Sequence, residues 1–349
     1  MRCLTLAKAL HQKNVNVEFI SRPHSGNLIA LIEQQGFTVQ QLPELANISA
    51  TVKLQGYTSW LGCTEKEDAD DTKSLLLKSS TPAEVLIVDH YGLGSLYTQT
   101  LEPYFQHRMV IDDLANRHHE CETLLDQNLL PHFQYRYQGK VNAKCICLLG
   151  PDYALLREEF YRQQPESTRQ HLLIFFGGSD PWHLTLKAVQ ALQQLQLNTK
   201  SCPPVDVVIG NNHPDKQMIA EAISNLPGSE LHIQSQQMAR LMSRAKVMLG
   251  AGGSTHWERC IMGLPGLIVT VAENQRPTTE YLAELGACIW LGEASQITLE
   301  QLLQALNNVL TNPGLLKQIS YNAQKQVPIT GGSQAVVKHL MNQLEKRNR

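Results

Sequence analysis

The chain has 349 residues and a formal net charge of −2, from 30 Lys or Arg and 32 Asp or Glu. That length favours two domains, each large enough for its own core, and the near-neutral charge argues against a nucleic-acid or anionic-lipid partner. Because no apolar run approaches the roughly 18 residues of a membrane span and the eight cysteines lack zinc-finger spacing, we expect a reduced, cytoplasmic protein without a membrane span.

The first half of the chain alternates apolar runs with amphipathic helical stretches, which predicts a mostly parallel sheet covered on both faces. A polar stretch without periodicity, residues 161–170, predicts a linker after this domain. The predicted helices lie near residues 2–12, 26–35, 69–79 and 94–106. The predicted strands are residues 15–20, 37–42, 84–88, 107–111, 123–126 and 144–149.

The same pattern starts again after Arg169. A helix is predicted from Pro181, and residues 331–349 predict a final capped helix. The predicted strands of this half are residues 172–176, 205–209, 231–233, 247–249 and 267–271.

The chain opens directly in a helix, without a strand before it. In a doubly wound domain the first strand usually lies at the centre of the sheet, and its loss would leave two neighbouring strands unpaired. Either the domain is built differently or the natural chain begins upstream of Met1, and the sequence favours the second explanation.

The strongest functional signal is the stretch 250–258 (GAGGSTHWE), directly after a predicted strand. Glycines at a strand-to-helix turn let the backbone approach a ligand closely, and a helix that opens at Ser254 offers free amides and a dipole that favour an anion. Glu258 lies one helical turn later on the same face, near the ribose that a bound phosphate would carry. The alternative is a tight turn with a capped helix and a solvated glutamate. The spacing favours nucleotide binding.

Polar residues follow two other predicted strands of the second half. Gly178 follows strand 172–176, where Asp180 as a helix cap and Pro181 as the first helical residue are an equally good explanation. Asn274 and Gln275 follow strand 267–271, and their amides suit phosphate, uracil or sugar.

In the first half, Asp89 ends a buried strand beside His90 and Tyr91. Asp89 is the best candidate there for positional or acid–base work, although the sequence alone slightly favours a strand-end cap. Residues 111–117 (IDDLANR) also end a strand with carboxylates, and an acidic turn is an equally good interpretation.

Two stretches contain residue types that bind metals. Residues 67–71 (EDADD) fit the start of a helix, where acidic side chains are favoured. Residues 118–121 (HHEC) are too close in sequence to converge easily on one ion, and no second cluster accompanies them. We expect no metal.

Seven segments resemble the UDP-2,4-diacetamido-2,4,6-trideoxy-β-L-altropyranose hydrolases, the PseG-type enzymes of pseudaminic acid biosynthesis. These enzymes in turn resemble MurG-type glycosyltransferases. The resemblance spans essentially the whole chain. The segments are residues 1–7 (MRCLTLA), 88–91 (VDHY), 111–117, 124–128 (LLDQN), 149–157 (LGPDYALLR), 177–180 (GGSD) and 250–258.

The resemblance implies an α/β, GT-B-like fold of two Rossmann-like doubly wound domains that face a cleft, residues 1–160 and 161–330, followed by a C-terminal helix, residues 331–349. The implied reaction is hydrolysis of the UDP-sugar to UDP and the free 6-deoxy sugar, with inversion and without metal or cofactor, in a pathway that serves flagellin glycosylation. Asp89 and Tyr91 would be the catalytic residues and would face the sugar. The substrate-binding residues would be Arg157, Gly178, Gly252, Gly253, Ser254, Glu258, Asn274 and Gln275.

The chain departs from the family pattern at its start. The family has a strand and a Gly-x-Gly-His-x-x-Arg loop, and Met1 and Arg2 match only the end of it. The histidine that resembles the family's catalytic base would lie before Met1. Loss of a general base costs about 10²–10⁴-fold in rate, so we expect the chain as written to be nearly inactive.

Two alternatives remain open. A GT-B glycosyltransferase would use the same nucleotide half, although the first domain has no concentrated Lys/Arg run of the kind that an enzyme acting on a lipid carrier would need. A non-catalytic binder of sugar nucleotides is compatible with the absent histidine.

Overall fold

Strands and helices alternate along the chain in the computed structural model, which describes residues 1–45, 56–79 and 82–347. The described strands are β1 (Glu18–Ser21), β2 (Thr38–Gln41), β3 (Val85–Val88), β4 (His107–Ile111), β5 (Thr123–Asp126), β6 (Ile146–Leu149), β7 (His171–Phe175), β8 (Val205–Ile209), β9 (Glu230–Ile233), β10 (Ala245–Ala251), β11 (Gly266–Thr270) and β12 (Ile289–Glu293). The described α-helices are α1 (Arg2–His11), α2 (Ile29–Gln34), α3 (Glu65–Leu76), α4 (Ser95–Leu101), α5 (Glu159–Arg162), α6 (Leu184–Thr199), α7 (Lys216–Ile223), α8 (Met238–Arg244), α9 (Thr255–Ile261), α10 (Arg276–Glu284), α11 (Leu299–Leu310), α12 (Pro313–Gln324) and α13 (Gly332–Arg347).

The chain divides into two units. The N-terminal unit comprises residues 1–128, 132–155 and 331–349, and the C-terminal unit comprises residues 129–131 and 156–330. Each unit has its own apolar clusters. Among the helices that the structure describes, none has both the length and the apolarity needed to cross a bilayer.

The strands of the N-terminal unit form two parallel sheets. β1 pairs with β2, whereas β3, β4, β5 and β6 pair in that order in a separate four-stranded sheet. Every strand predicted for this half is present. The strands at 107–111 and 123–126 have the predicted bounds, and the bounds of the other four differ at one or both ends by one to three residues. The predicted parallel pairing is therefore confirmed, but it occurs in two sheets.

The acidic stretch 67–71 lies inside α3, which begins at Glu65 with its cap at Thr64. The Thr64 hydroxyl accepts from the Glu67 amide at 3.2 Å, and the Glu67 carboxylate accepts from the Thr64 amide at 2.8 Å. This reciprocal capping explains why acidic residues cluster there, and the interpretation as the start of a helix is confirmed.

The C-terminal unit has one six-stranded parallel sheet in the order β12-β11-β10-β7-β8-β9. From β7 the chain adds strands outward on one side, and from β10 it adds them outward on the other. The strand order therefore reverses between β7 and β10. Of these strands, β12 was not predicted, because its IWLGE sequence is short and its residues are only half-buried.

Helix α13 returns from the other end of the chain to the N-terminal unit. Its buried Val336, Val337 and Leu340 join an apolar cluster with Leu6 of α1 and Met109 of β4. The predicted final helix is thus part of the first unit's core.

Candidate functional site

Three loops of the C-terminal unit follow neighbouring strands at the carboxyl edge of its sheet. Gly178 follows β7, Gly252 and Gly253 follow β10, and Gln275 follows β11. The first two loops flank the point at which the strand order reverses, where open parallel sheets bind their ligands. The topology thus brings together loops that the sequence selected separately.

The turn after β10 is closely packed from below. Gly253 has a φ of +89°, which favours glycine. A Cβ added to Gly252 would lie 2.9 Å from Thr279 Oγ1 and 3.1 Å from His256 Nε2, and one added to Gly253 would lie 3.5 Å from Gln275 Nε2. Gln275 is in turn fixed by its Oε1, which accepts from the Val271 amide at 3.1 Å. Gly252 therefore has no room for a side chain, and Gly253, whose φ favours glycine, lies beside the amide of Gln275.

The helix that follows the turn is short, and it begins one residue after Ser254. Helix α9 has seven residues and begins at Thr255; Ser254 has helical backbone angles and makes no side-chain cap. In the part of the chain that the structure describes, the backbone amides of Gly253 and Ser254 have no hydrogen-bond acceptor. Because a short helix has a weak dipole, these accessible amides would supply most of any attraction for an anion.

Arg157 and Glu258 are brought together although they lie 101 positions apart. Arg157 Nη2 is 3.3 Å from Glu258 Oε1, and Arg157 Nη1 is 2.7 Å from Glu159 Oε1. Burial raises the pKa of Glu258, and the Arg157 charge opposes that rise. Arg157 also lies over the Phe160 ring at 5.1 Å, so the guanidinium is held on three sides and orients the Glu258 carboxylate.

The loop after β7 is partly structural. The Asp180 carboxylate accepts from the amides of Leu184 at 3.1 Å and Thr185 at 2.6 Å, so Asp180 caps the first turn of α6, although the N-cap residue is His183 and not Asp180 as predicted. The prediction that this helix starts at Pro181 was wrong, because α6 begins at Leu184. Gly178 is exposed, and its carbonyl accepts from the Gly210 amide at 3.0 Å.

In the N-terminal unit, Asp89 follows β3 and is held by Arg2 of α1. Arg2 Nη2 is 2.7 Å from Asp89 Oδ1, and Arg2 Nη1 is 2.9 Å from Asp113 Oδ2. Burial alone would raise the pKa of Asp89, but the Arg2 charge and its hydrogen bonds outweigh burial and hold that pKa below its usual value. Asp89 is therefore a stable carboxylate and a weak proton acceptor.

Tyr91 belongs to an aromatic group that sequence reasoning missed. Its ring centroid is 5.1 Å from that of Tyr57 and 5.8 Å from that of Trp60, which is exposed. Burial, together with Asp113, raises the pKa of the Tyr91 phenol, so this hydroxyl stays protonated at neutral pH. The contact between the stretch 56–61 and Tyr91 has no signal in local sequence.

Two more carboxylates at the same edge share one hydroxyl. Tyr137 Oη lies 2.9 Å from Asp112 Oδ2 and 3.2 Å from Asp126 Oδ2. Burial raises the pKa of Asp126 to about 7. Burial would also raise that of Asp112, but hydrogen bonding to His119 and the Arg117 charge hold it well below its usual range. Since the phenol has one proton, it serves ionised Asp112, and protonated Asp126 can donate to the phenol oxygen.

A different group of potential metal ligands lies at the opposite edge of the C-terminal sheet. Within the described residues, Asp206, Glu230 and His232 are the set of three close enough to share an ion. Asp206 already accepts from Arg244 Nε at 2.8 Å and lies 2.8 Å from His232 Nε2. Because Arg244 neutralises the central carboxylate, the arrangement suits an ion-pair network better than a cation.

The chain is similar both to a glycosyltransferase domain and to a hydrolase of a nucleotide sugar. Residues 172–335 match the glycosyltransferase family 28 C-terminal domain. The spore coat polysaccharide biosynthesis protein SpsG of Bacillus subtilis is 27% identical over 47% of this chain and 49% of its own length, so the chain spans about half of that relative. The UDP-2,4-diacetamido-2,4,6-trideoxy-β-L-altropyranose hydrolase of Campylobacter jejuni is 24% identical over 58% of this chain and 72% of its own length.

Similarity of structure extends further than similarity of sequence. The crystal structure of MurG from Acinetobacter baumannii matches with a TM-score of 0.63 at 16% identity, covering 98% of this chain and 95% of MurG. The predicted fold class is confirmed. The chain is an α/β protein of the GT-B fold, related to proteins that act on nucleotide sugars and similar in its C-terminal unit to glycosyltransferase family 28.

Proposed function

We propose that the C-terminal unit binds UDP at the carboxyl edge of its sheet and that the protein hydrolyses UDP-2,4-diacetamido-2,4,6-trideoxy-β-L-altropyranose to UDP and the free 6-deoxy sugar. The observation that carries the nucleotide part is the pair of glycine turns flanking the reversal of strand order between β7 and β10. The similarity to the Campylobacter hydrolase supports the choice of substrate and reaction.

In this proposal different residues of the C-terminal unit contact different parts of the nucleotide. The amides of Gly253 and Ser254 donate to the diphosphate, and Gly252 keeps the turn free of side-chain bulk. Gln275 contacts the same diphosphate from the loop after β11, where Asn274 and the exposed Gly178 loop complete the rim. Amides fixed in place before the reaction stabilise the charge that grows on the departing diphosphate.

Glu258 accepts the ribose hydroxyls, and Arg157 holds its carboxylate in position. The Arg157 charge also favours the ionised form of Glu258 against the effect of burial. An ionised acceptor makes stronger hydrogen bonds than a neutral one.

Asp89 and Tyr91 act on the sugar. Arg2 keeps Asp89 ionised, which suits a hydrogen bond to a sugar hydroxyl or amide better than abstraction of a proton from water. Tyr91, protonated at neutral pH, donates a hydrogen bond or packs against the sugar ring. Water attacks the anomeric carbon while the bond between that carbon and the diphosphate oxygen breaks on the opposite face, with inversion. The proton that the attacking water loses passes to solvent, and the diphosphate leaves as UDP.

Glycosyl transfer is the second candidate, and the match of residues 172–335 to a glycosyltransferase domain favours it. The same nucleotide site would serve both reactions. The two differ only in whether water or an acceptor hydroxyl attacks the anomeric carbon.

The test has two steps. Calorimetric titration with UDP and with 2′-deoxy-UDP checks the site. We expect Glu258→Gln to weaken UDP about 10- to 100-fold, the effect of a lost charged hydrogen bond, and to abolish discrimination against the deoxy nucleotide. Glu273→Gln, a neighbouring exposed glutamate, is the matched control and leaves both affinities unchanged.

NMR of the protein with the UDP-sugar then identifies the reaction. Free UDP with free sugar of inverted configuration supports hydrolysis, whereas turnover only after addition of an acceptor glycan supports transfer. The assay uses enough protein and time to detect a rate reduced about 10⁴-fold, the upper effect of a lost general base. Binding of UDP without any turnover under those conditions indicates a binder, and an absence of UDP binding by folded protein rejects the proposal.

A further inference from the structure

Arg259 of α9 is a fully buried cation that no carboxylate neutralises among the residues that the structure describes. Its side chain has 0% exposure, and its Nη1 donates to the Ala287 carbonyl at 2.7 Å. Nε and Nη2 lie 3.2 and 3.0 Å from His256 Nδ1. Across residues 1–45, 56–79 and 82–347 no acidic group lies within ion-pair distance of it. Burial of a charge without a counter-charge is costly, so this position calls for an explanation beyond packing.

The contacts of Arg259 fix the state of His256. A guanidinium can only donate, so His256 Nδ1 accepts and its Nε2 carries the hydrogen. Nε2 then donates to Thr279 Oγ1 at 2.9 Å, and Thr279 Oγ1 donates to the Gln275 carbonyl at 2.8 Å. Burial, together with the Arg259 charge, lowers the pKa of His256 well below its usual value. The imidazole is neutral, and the positive charge stays on Arg259.

The hydrogen-bonded chain from Arg259 through His256 and Thr279 to the Gln275 carbonyl, here called the relay, lies directly beneath the turn after β10. A Cβ on Gly252 would lie 3.1 Å from His256 Nε2 and 2.9 Å from Thr279 Oγ1, and 3.4 Å from Gln275 Cβ. On the far side of Arg259, Gly266 leaves space for the guanidinium, since a Cβ there would lie 3.0 Å from Arg259 Nε. The guanidinium of Arg259 thus lies between Gly266 and the neutral imidazole of His256, and only that imidazole separates it from the turn at Gly252.

We propose that Arg259 is a positioning residue that places a permanent positive charge behind the turn at Gly252 and so selects a nucleoside diphosphate over the uncharged nucleoside. The inference rests on the proposed function, since it assigns the missing counter-charge to the ligand. The protein interior screens this charge weakly. The relay through His256 and Thr279 also fixes the position of the Gln275 loop relative to Arg259.

The test compares UDP with uridine, because only UDP has the diphosphate charge. We expect Arg259→Met to weaken the affinity for UDP about tenfold or more, because it removes an attraction between two charges in a poorly screened interior. The affinity for uridine, followed by chemical-shift titration, should stay unchanged within about twofold. Arg259→Lys keeps the charge and is expected to restore most of the preference for UDP. Thermal unfolding of each variant verifies that it is folded.

Arg169→Met is the matched control. Arg169 donates to the carbonyls of Gly263 and Met262, beyond the other end of α9, so its removal takes away one charge without touching the relay, and UDP affinity should stay unchanged. If Arg259→Met does not fold, Arg259→Gln, which keeps a donor, takes its place.

Equal loss of UDP and uridine affinity would mean that Arg259 is only a structural support, and unchanged UDP affinity would remove any role; either result overturns the inference. If the wild-type protein itself fails to bind UDP, the proposed function fails first. The two failures are therefore distinguishable.

Discussion

Below about pH 7 the two carboxylates beside the Tyr137 hydroxyl are in opposite protonation states. Asp126 has a pKa of about 7 because burial disfavours its charge, whereas Asp112 remains ionised through His119 and Arg117. Both side chains are almost fully buried, so their titration is linked to the stability of the N-terminal unit.

We expect Asp126→Asn to change the pH dependence of that stability. Between about pH 4 and pH 7 folded Asp126 keeps a proton that the unfolded chain has lost, so the wild-type free energy of unfolding falls as pH rises through this range. Asparagine has no proton to lose. From pH 5 to pH 8 the variant should therefore gain about 2–3 kcal/mol relative to wild type.

The measurement is urea unfolding at both pH values, with hydrogen exchange in residues 107–111 reporting on the N-terminal unit. Asp112→Asn is the control. Its pKa is lowered in the folded state, so its contribution is complete above the unfolded pKa, and the variant should lose the same stability at pH 5 and pH 8. If the difference in free energy of unfolding between Asp126→Asn and wild type is the same at pH 5 and pH 8, the raised pKa assigned to Asp126 is contradicted.

Sequence reasoning selected residues at strand ends but not their partners. Asp89 was selected from its place after a strand, Glu258 from its spacing after the glycine turn, and Arg157 from a family resemblance. The Arg2–Asp89 and Arg157–Glu258 pairs join residues 87 and 101 positions apart, and no local pattern predicts such contacts. His119 was set aside as a metal ligand with the HHEC stretch. In the structure His119 Nε2 lies 3.4 Å from Asp112 Oδ2, a contact that depends on tertiary packing and has no signal in the local sequence.

At the scale of the secondary-structure elements, β7 and β10 pair with each other where the strand order reverses. A Cβ on Gly250 would lie 2.2 Å from the Phe175 carbonyl oxygen and 2.6 Å from Met248 Cε. Gly250 was selected as part of a ligand-binding turn, but it lies inside β10 and its role is to allow the strands to approach.

We therefore expect Gly250→Ala to destabilise the C-terminal unit by about 3 kcal/mol, since the backbone carbonyl cannot move aside without breaking the ladder. Gly178→Ala is the control: its Cβ would meet only Gly210 Cα, at 3.9 Å, and the change in stability should stay within about 0.5 kcal/mol. Thermal unfolding of both variants gives the comparison. Equal melting temperatures would contradict this role for Gly250.

At this scale the sequence predicted most strands, because apolar runs bounded by turn residues are a strong local signal. It could not predict the division of the first half into two sheets, since strand pairing depends on neighbours distant in sequence. It also placed the start of α6 three residues early, because Asp180 caps from outside the helix through its carboxylate rather than from the N-cap position.

In the whole molecule, the N-terminal unit is assembled from both ends of the chain. Helix α13 contributes Val336, Val337 and Leu340 to the cluster around Leu6, and His339 Nε2 lies 2.8 Å from Thr123 Oγ1 of β5. The amphipathic pattern of residues 331–349 predicted a helix, but a pattern along the chain does not say which unit the helix joins.

We expect removal of residues 331–349 to weaken the N-terminal unit and not the C-terminal one. Each of the three buried aliphatic side chains contributes about 1.5–3 kcal/mol, which together is comparable to the whole stability of a typical domain. Hydrogen exchange should accelerate in residues 4–10 and 107–111 and stay unchanged in residues 205–209. Uniform acceleration would contradict this division of the core.

The place of α13 also sets an order of events during synthesis on the ribosome. The central segment, residues 156–330, is complete as soon as it emerges from the exit tunnel and can fold while translation continues. The N-terminal unit must wait for α13, because its core stays open until that helix is released. A nascent chain would thus complete its C-terminal unit before its N-terminal unit, the reverse of the order in which most of their residues are encoded.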